Sequence, residues 1–243
     1  MTLDGKVIVV TGGGRGIGRG ISLACGGAGA SVAVLYRNGN AQAEGVVHAL
    51  RERGNQARAY RADVTSAEEV DAVFEQVIAD FGTVDVLVNN AGVATRRATD
   101  DLTEAEWDHV VKTNLTGAFL CSKAVLPAMR EQRSGRIVNI ASVAGQTGGL
   151  IGAHYAASKA GMIGMTRFMA RELGPVGITV NAIAPAGIES DMLRANRLTP
   201  IERPIAVPGT PADVGAAVCF LASPAAGYVT GQVLGVNGGS FVG

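Results

Sequence analysis

The sequence predicts an α/β protein with a doubly wound parallel sheet of about seven strands flanked by helices. Short apolar runs recur along the chain and helix-length segments separate most of them, which is the pattern of repeated strand–helix units. A glycine-rich turn lies between the first apolar run and the first helical segment. The 243 residues are 47% hydrophobic, enough to bury one sizeable core.

Seven segments are strand candidates because they are short and apolar and lie between turn residues. In order they are Val7–Val10, Ser31–Tyr36, Ala57–Arg61, Val84–Asn89, Arg136–Ala141, Ile178–Ile183 and Gln232–Val236. The predicted helices are Gly16–Gly26, Ala41–Arg53, Ala67–Phe81, Glu104–Asn114, Leu115–Gln132, Tyr155–Leu173 and Ala212–Leu221. Capping residues precede three of them, namely Thr65 or Ser66, Thr103 with Glu106, and Thr210 before Pro211.

Charge and cysteine usage exclude several classes of protein. Lys and Arg number 21, Asp and Glu number 21, and no basic cluster stands out, so we expect no nucleic-acid partner. The three cysteines lie far apart without a C-x-x-C pair, which favours reduced thiols in a cytoplasmic protein and predicts no disulfide or metal site. No apolar stretch is long enough to cross a bilayer, so we expect no membrane partner.

No repeat, charge run or linker divides the chain, so residues 1–243 are predicted to form one domain. The least regular segment, at about residues 189–208, follows the sixth strand candidate and contains Pro200, Pro204 and Pro208. Ligands of doubly wound sheets bind beyond the carboxyl ends of the strands. This segment, called the lid below, is therefore predicted to cover a substrate site.

The glycine-rich turn stands at the first strand-to-helix switch. Glycines let the backbone approach a pyrophosphate closely, and the first N–H groups of the following helix, at the positive end of its dipole, bind phosphate oxygens. This context predicts a Rossmann-type dinucleotide site. The candidate contacts in the turn are Gly12, Arg15, Gly16, Ile17 and Gly18.

The end of the second strand candidate indicates which dinucleotide binds. An NAD site would place a carboxylate there for the ribose hydroxyls, but the sequence reads Tyr36-Arg37-Asn38. Arg37, with Asn38 beside it, can pair with a 2′-phosphate, and Arg15 can approach the same group from the glycine turn. The alternative is that both arginines are solvated surface residues. NADP(H) is therefore the predicted cofactor.

Tyr155 and Lys159 are candidate catalytic residues. They lie four apart at the start of a helical segment, so the phenol and the ammonium project side by side. A neighbouring cation lowers the pKa of a tyrosine, which then acts as an acid and base closer to neutrality. Taken alone, the pair could also lie exposed on a helix surface. His154 is predicted to lie at the pocket rim or to cap the helix, because adjacent helical residues point apart.

Ser142 and Asn114 are the other two catalytic candidates. Ser142 follows the fifth strand candidate, where its hydroxyl could donate to a substrate oxygen in the cleft. The alternative is a turn serine that caps a backbone group. Asn114 lies in an otherwise helical run, where asparagine is unfavourable, and this indicates either a site or a simple helix interruption.

These motifs occur in order over essentially the whole chain and resemble the short-chain dehydrogenase/reductase superfamily. They are Thr11-(x)3-Arg15-Gly16-Ile17-Gly18, Asp63-Val64, Asn89-Asn90-Ala91-Gly92, Asn114, Ser142, Tyr155-(x)3-Lys159 and Gly231-(x)6-Gly238-Gly239. Within the superfamily, the Arg-Gly-Ile-Gly turn, the Tyr-Ala-Ala-Ser-Lys-Ala-Gly run and the segment from Pro185 to Met192 are most similar to the 3-oxoacyl-carrier-protein reductase group.

The resemblance implies a role for each matching residue. Tyr155 would be the general acid in reduction, and Ser142 would polarise the carbonyl. Lys159 would lower the pKa of the tyrosine and bind the nicotinamide ribose, while Asn114 would hold a water for proton resupply. The other implied cofactor contacts are Asp63, Val64, Asn90, Ala91, Gly92, Pro185, Gly187, Ile188 and Ser190. The resemblance also implies a helix-paired dimer that doubles to a homotetramer.

Departures from the group bear on the substrate. The family's Pro-Gly after the sixth strand is here Pro185-Ala186-Gly187, which predicts a shifted turn, and the lid is short and proline-rich. Of two arginines that dock the acyl carrier protein in this group, Arg133 matches one, whereas Val176 stands at the other. We therefore expect small or short-chain carbonyl substrates over carrier-bound long chains.

Three functions remain open at this point. The first is an NADPH-dependent carbonyl reductase acting on a 3-oxoacyl thioester, carried by acyl carrier protein or CoA, or on a similar small carbonyl compound. The second is an NAD(P)-dependent dehydrogenase that oxidises a sugar, cyclic or secondary alcohol. The third is a non-catalytic nucleotide-binding sensor or scaffold. A sensor has no chemical need for a phenol–ammonium pair, so Tyr155 and Lys159 favour an enzyme.

Overall fold

A seven-stranded parallel sheet forms the centre of the molecule, as a computed structural model shows. The strands are β1 (Val7–Thr11), β2 (Ser31–Tyr36), β3 (Ala57–Arg61), β4 (Val86–Asn89), β5 (Gly135–Ile140), β6 (Ile178–Pro185) and β7 (Val233–Val236). Their order is β3-β2-β1-β4-β5-β6-β7, and every neighbouring pair is parallel. The structure describes residues 2–189, 191–196 and 203–242, without the side chains of Asp191 and Leu193. The predicted doubly wound α/β fold is confirmed.

Helices cover both faces of this sheet. They are α1 (Gly16–Gly27), α2 (Asn40–Arg51), α3 (Ala67–Phe81), α4 (Glu104–Val111), α5 (Gly117–Gln132), α6 (Ala144–Thr147), α7 (Ala153–Leu173), α8 (Asp191–Ala195) and α9 (Pro211–Ala222). A π-helical segment, Lys112–Thr116, joins α4 to α5. Short 3-10 turns span Thr99–Asp101, Gly174–Val176 and Pro224–Ala226.

The hydrophobic core forms one layer on each face of the sheet, because successive residues of a buried strand point to opposite faces. Ile8 and Val10 of β1 pack in the layer that contains α1, α2 and α9. Val9 packs in the other layer, with α3, α5 and α7. All three side chains are fully buried, and burial of one such side chain contributes about 1.5–3 kcal/mol. The sheet is thereby held rigidly between two layers of helices.

Side-chain caps begin three helices near the predicted positions. Thr103 and Glu106 form a reciprocal capping box at α4, and Thr210 does the same with Asp213 at α9. At α3 the cap is Ser66, whose hydroxyl accepts from the Glu69 N–H at 3.3 Å. Each cap satisfies an otherwise unpaired N–H group and contributes about 1 kcal/mol.

The structure also differs from the predicted elements. β6 runs to Pro185 instead of Ile183, because β7 pairs with its last residues. The predicted junction between two helices at Asn114 is a π-helical segment that joins them. α6 and α8 were not predicted, since four and five residues are too few to show a helical period. The other bounds shift by at most two residues.

The described residues contain neither a membrane-spanning helix nor a metal-ligand cluster. Among them, no helix is both long and apolar enough to cross a bilayer. The same residues hold no group of three His, Cys, Asp or Glu side chains placed to bind an ion. Cys25, Cys121 and Cys219 are all buried free thiols.

Candidate active site

A large cleft lies at the carboxyl edge of the sheet and has a volume of about 940 Å³. It opens where the chain after β1 and the chain after β4 diverge, the usual ligand position in such sheets. Every predicted cofactor contact that the structure describes lines the cleft, together with Ser142, Tyr155 and Lys159. Asn114 is fully buried next to it, and Ser190 lies outside the described residues.

The glycine turn forms one end of the cleft, and its geometry requires glycine. Gly12 and Gly16 have φ values of +64° and +50°, in the left-handed region that other residues rarely adopt. A Cβ added to Gly18 would lie 2.1 Å from the Gly12 carbonyl oxygen. The absence of side chains therefore lets the glycine turn pack closely against the first turn of α1, whose N–H groups have no partner within the helix. These residues fit a dinucleotide pyrophosphate.

Thr11 anchors the glycine turn to the end of β4. Its hydroxyl accepts hydrogen bonds from the backbone N–H groups of Asn90 and Ala91, both at 2.9 Å. The Asn90 amide in turn donates to the Thr11 carbonyl at 2.9 Å. Thr11 belongs to the glycine-turn motif, but the motif alone does not indicate this role. A polar residue that ends a buried strand was the available signal.

Arg37 and Asp63 lie just after β2 and β3, and both line the cleft together with the glycine turn. The Arg37 guanidinium is 3.3 Å from the Asp63 carboxylate and remains partly exposed. Asp63 also accepts from the backbone N–H and the hydroxyl of Thr65, at 2.9 and 2.8 Å. Burial alone would raise the pKa of Asp63, but the Thr65 hydrogen bonds and the Arg37 charge outweigh it and lower the pKa. Arg15, in the turn before α1, is exposed and lines the same cleft.

Tyr155 and Lys159 lie on α7, and both side chains are buried. The Lys159 ammonium donates to the Ile140 carbonyl at 2.8 Å and lies 5.8 Å from the centroid of the Tyr155 ring. Burial raises the pKa of Tyr155, while a hydrogen bond with Ser142 opposes the rise. Burial lowers the pKa of Lys159 to about 8.

Burial dominates the pKa of Tyr155 because removing a phenolate from water is costly. The lowering expected from Lys159 stays a prediction. Ser142 lowers the pKa of Tyr155 in part. Its hydroxyl also accepts from the Ala144 N–H at 3.1 Å, so Ser142 is a turn serine and a partner of the phenol together.

Asn114 is held within the π-helical segment between α4 and α5. Its amide exchanges hydrogen bonds with the Val93 backbone, at 2.8 and 3.0 Å, and donates to the Ser158 hydroxyl at 3.1 Å. A Cβ added to Gly92 would lie 3.1 Å from its side-chain oxygen and 3.7 Å from the Lys159 ammonium. Asn114 therefore joins the chain after β4 to the start of α7, next to Lys159.

The turn after β6 also lines the cleft. The Pro185 carbonyl accepts from the Val143 N–H at 3.2 Å, which holds this turn beside Ser142. Gly187 has a φ of +63°, and Ile188 pairs with Gly209 across the base of the lid. The predicted contacts Pro185, Gly187 and Ile188 thus lie at the level of Ser142.

His154 differs from its prediction. It is fully buried instead of lying at a pocket rim, and neither ring nitrogen has a hydrogen-bond partner among the described residues. Gly152 leaves room for the imidazole, because a Cβ at that position would lie 2.8 Å from the ring. His154 is not among the residues that line the cleft.

The described part of the lid contains α8, which the proline-rich sequence did not suggest. Asn196, just after this helix, accepts from the Arg96 N–H at 2.7 Å and donates to the Ala94 carbonyl at 3.2 Å. These bonds tie the lid to the chain after β4. Pro200 and the rest of 197–202 lie outside the described residues.

Comparison with known proteins agrees with this geometry. The family model for short chain dehydrogenase matches residues 6–200. The chain is 45% identical to the 3-oxoacyl-acyl-carrier-protein reductase FabG of Staphylococcus aureus, over 98% of both chains. It is 43% identical to the 3-oxoacyl-acyl-carrier-protein reductase of a Synechocystis species, over 98% of this chain and 97% of that protein. It is 42% identical to FabG of Vibrio cholerae over the whole of both chains. Because the family model covers most of the sequence and these relatives match nearly all of it, the chain belongs to the short chain dehydrogenase family.

Proposed function

We propose that this protein is an NADPH-dependent carbonyl reductase that acts on the ketone of a 3-oxoacyl thioester or a similar short carbonyl compound. The observation that carries the proposal is that Ser142, Tyr155 and Lys159 line one cleft together with a dinucleotide cradle. The hydroxyls of Ser142 and Tyr155 can both donate hydrogen bonds to one carbonyl oxygen bound in this cleft. The relatives named above are reductases of 3-oxoacyl groups, which supports the substrate class.

Carbonyl reduction needs a proton at the oxygen and a hydride at the carbon. When bound, NADPH supplies the hydride. Tyr155 donates its phenolic proton to the oxygen, and Ser142 donates a hydrogen bond that orients and polarises the carbonyl. The Lys159 ammonium, fixed by the Ile140 carbonyl, stabilises the phenolate that remains.

Proton return to Tyr155 is the proposed role of Asn114 with Lys159. Asn114 lies next to Lys159 and fixes the Val93 backbone and Ser158. In the proposal it holds a water that connects Lys159 with solvent. The protein forms no covalent bond to the substrate in this proposal. It accelerates the reaction by holding the reacting groups in position.

The preference for NADPH over NADH follows from the charges at the adenosine end of the cleft. Arg37 and Arg15 both line this end and offer guanidinium groups to a 2′-phosphate. Asp63 is already hydrogen bonded by Thr65 and paired with Arg37. Arg37 and Arg15 together exceed this single negative charge, so these three groups leave this end of the cleft net positive.

The proposal extends to the whole molecule as one NADP(H)-binding domain of residues 1–243 that works as a cytoplasmic homotetramer. The substrate is short. Arg133 is exposed and suits an acidic carrier, but Val176 is partly buried against the core and offers no second cation. Carrier-bound long chains are therefore poorer substrates than short thioesters.

The test is NADPH oxidation with an acetoacetyl thioester, comparing the wild type with Tyr155→Phe. The variant removes only the transferable proton, so kcat should fall about a hundredfold to ten-thousandfold while NADPH still binds. Tyr228→Phe is the matched control, because this tyrosine is fully exposed. Near-normal turnover by Tyr155→Phe would contradict the assigned acid. Tight NADPH binding without reduction of any thioester, ketone or diketone would favour a sensor.

A further inference from the structure

Arg203 lines the cleft from the described part of the lid, just before Pro204. It is partly buried and lines the cleft together with Gly187 and Ile188. The turn that contains Gly187 lies beside Ser142, because the Pro185 carbonyl binds the Val143 N–H. The cation therefore lies on the same side of the cleft as the proposed reacting groups.

Two glycines make room for this side chain. A Cβ added to Gly187 would lie 2.4 Å from the Arg203 Nη1 atom, and one added to Gly238 would lie 3.0 Å from its Cδ atom. Both glycines have a φ of +63°, so the backbone at both positions also favours glycine. The guanidinium can lie directly against the turn after β6 because position 187 has no side chain.

Backbone hydrogen bonds then fix the direction of the guanidinium. Arg203 Nε donates to the Ile205 carbonyl at 3.0 Å, and Nη2 lies 3.5 Å from the Ala206 carbonyl. The Ile205 N–H donates to the Gly238 carbonyl at 3.0 Å, which ties this stretch of the lid to the chain after β7. Nε and Nη2 are thus occupied by the lid itself, while Nη1 lies on the side of Gly187.

The charge of Arg203 is not neutralised by the described part of the chain. The ion pairs among the described residues join other side chains, and none of them includes Arg203. Glu189 lines the same cleft but forms no ion pair with it. A guanidinium that has no carboxylate partner among the described residues favours an anionic ligand, and its planar fork suits a carboxylate.

We infer that Arg203 is a specificity-determining residue that binds a carboxylate carried by a short substrate, such as a free 3-oxo acid. The inference rests on the proposed reductase function. Ala94, Ile151 and Met192 of the same cleft are apolar, whereas Arg203 offers a cation that distinguishes a charged substrate from a neutral one of the same size, and Arg194 also lines the cleft. The phosphate groups of the cofactor would also be anions within the cleft, and the second experiment below separates them from a substrate carboxylate.

The first experiment compares acetoacetate with methyl acetoacetate, using NADPH and three proteins besides the wild type. Arg203→Gln removes the charge, Arg203→Lys keeps the charge and loses the fork, and Arg53→Gln is a control at an exposed arginine outside the cleft. The ratio of kcat/KM for acetoacetate to that for the ester should fall about tenfold or more in Arg203→Gln. It should fall less in Arg203→Lys and stay constant in Arg53→Gln. An unchanged ratio in Arg203→Gln would overturn the inference.

The second experiment does not need turnover. Acetoacetate and its methyl ester are titrated calorimetrically into the complex of each protein with NADP+, which cannot reduce them. Acetoacetate should bind the wild type better than the ester does, and Arg203→Gln should weaken acetoacetate alone by about tenfold. Equal binding of both compounds to the wild type would overturn the inference. Weaker NADPH binding by Arg203→Gln, with an unchanged preference for acetoacetate, would also overturn it and would assign Arg203 to the cofactor.

The two proposals fail in distinguishable ways. If no thioester or ketone is reduced but Arg203 still governs acetoacetate binding, the reductase function is wrong and the carboxylate site stands. If an acetoacetyl thioester is reduced and Arg203→Gln leaves the acetoacetate preference intact, the function stands and the carboxylate site is wrong. Far-ultraviolet circular dichroism reports whether Arg203→Gln folds. If it does not, Arg203→Lys supplies the comparison. An unchanged preference of Arg203→Lys for acetoacetate over the ester, together with unchanged binding by calorimetry, would overturn the inference.

Discussion

Two ionisable side chains stand close together on α7, and burial favours the neutral form of both. It raises the pKa of Tyr155 and lowers that of Lys159 to about 8. A neutral phenol is the form that can donate a proton, so the burial of Tyr155 suits a reductase. For Lys159 burial works against the proposed function. The proposed role needs the charged ammonium, whereas burial favours the neutral amine.

The cost of burying Lys159 predicts a stability effect. Its folded pKa lies below the unfolded value, so the penalty is fully present below about pH 8 and disappears as the pH rises from about 8 to 10.5. Lys159→Met removes the charge and also one hydrogen bond to Ile140. We expect a free energy of unfolding roughly 2 kcal/mol above that of the wild type at pH 7, together with a loss of activity.

Urea denaturation at pH 7 and pH 10.5, at one protein concentration, measures this effect. The difference between Lys159→Met and the wild type should shrink at the higher pH, because the wild-type lysine is then neutral in the folded state and only about half protonated in the unfolded state. A variant less stable than the wild type at pH 7 would show that the Ile140 hydrogen bond outweighs the cost of burial.

Arg37 provides the second prediction at the scale of single residues. Its guanidinium is paired with Asp63 at 3.3 Å and is partly exposed, so it can turn to a 2′-phosphate with little loss. Arg37→Ala should weaken NADPH binding about tenfold or more and leave NADH nearly unchanged, because a charge-assisted phosphate contact contributes roughly 1.5–3 kcal/mol. Fluorescence titration with both cofactors measures this, with Arg53→Ala as control. Equal losses for the two cofactors would contradict the role.

At the scale of elements, irregular segments between regular ones form the site. The turn before α1 holds the cradle, the π-helical segment before α5 holds Asn114, and the chain beyond β6 carries Gly187. Regular helices and strands satisfy their own backbone groups, whereas turns and helix ends leave N–H groups and side chains free for ligands. Rigid elements on both sides then hold these segments in place.

Two glycines of α1 test the cradle as a matched pair. A Cβ on Gly18 would meet the Gly12 carbonyl oxygen at 2.1 Å, whereas one on Gly27 would meet nothing within 4 Å. Gly18→Ala should weaken NADPH binding about tenfold or more and cost roughly 1–3 kcal/mol of stability, because backbone must move. Gly27→Ala should bind NADPH normally and be stabilised by up to about 1 kcal/mol. Cofactor titration and urea denaturation measure both, and normal NADPH binding by Gly18→Ala would show that the turn does not need this close approach.

At the scale of the whole molecule, large apolar side chains remain exposed on the helices of one layer. Phe119 on α5 is 49% exposed and Phe168 on α7 is 69% exposed. Apolar groups that stay in water on a folded chain commonly mark a surface for another copy. We therefore predict that Phe119 and Phe168 pack against another copy in the expected helix-paired homotetramer.

Light scattering coupled to gel filtration tests the assembly. The wild type should have four times the chain mass of 24.7 kDa. Phe168→Glu should give a smaller species, because a carboxylate buried at an interface without a partner is strongly unfavourable. Ala72→Glu, at an exposed position of α3, should keep the wild-type mass. A monomeric wild type would rule out the tetramer.

The sequence by itself determined the fold class, the cradle and the order of the site residues. Apolar runs separated by helix-length segments are local patterns, and so are a glycine turn at a strand end and a Tyr-(x)3-Lys pair on one helix. Each follows from neighbours in the chain. For this reason β2, β3 and α3 lie exactly where the pattern predicted them, and the relatives agree with the family.

Only the tertiary structure decided which environment each of these residues meets. The pKa of Tyr155 depends on burial and on Ser142, which lies 13 positions earlier in the chain, and not on Lys159 alone. His154 proved to be buried because of the packing around it. Arg203 lies against Gly187 and Gly238, which approach it only after the chain returns to the sheet edge. Desolvation and long-range contact arise from residues far apart in the chain, so no local pattern contains them.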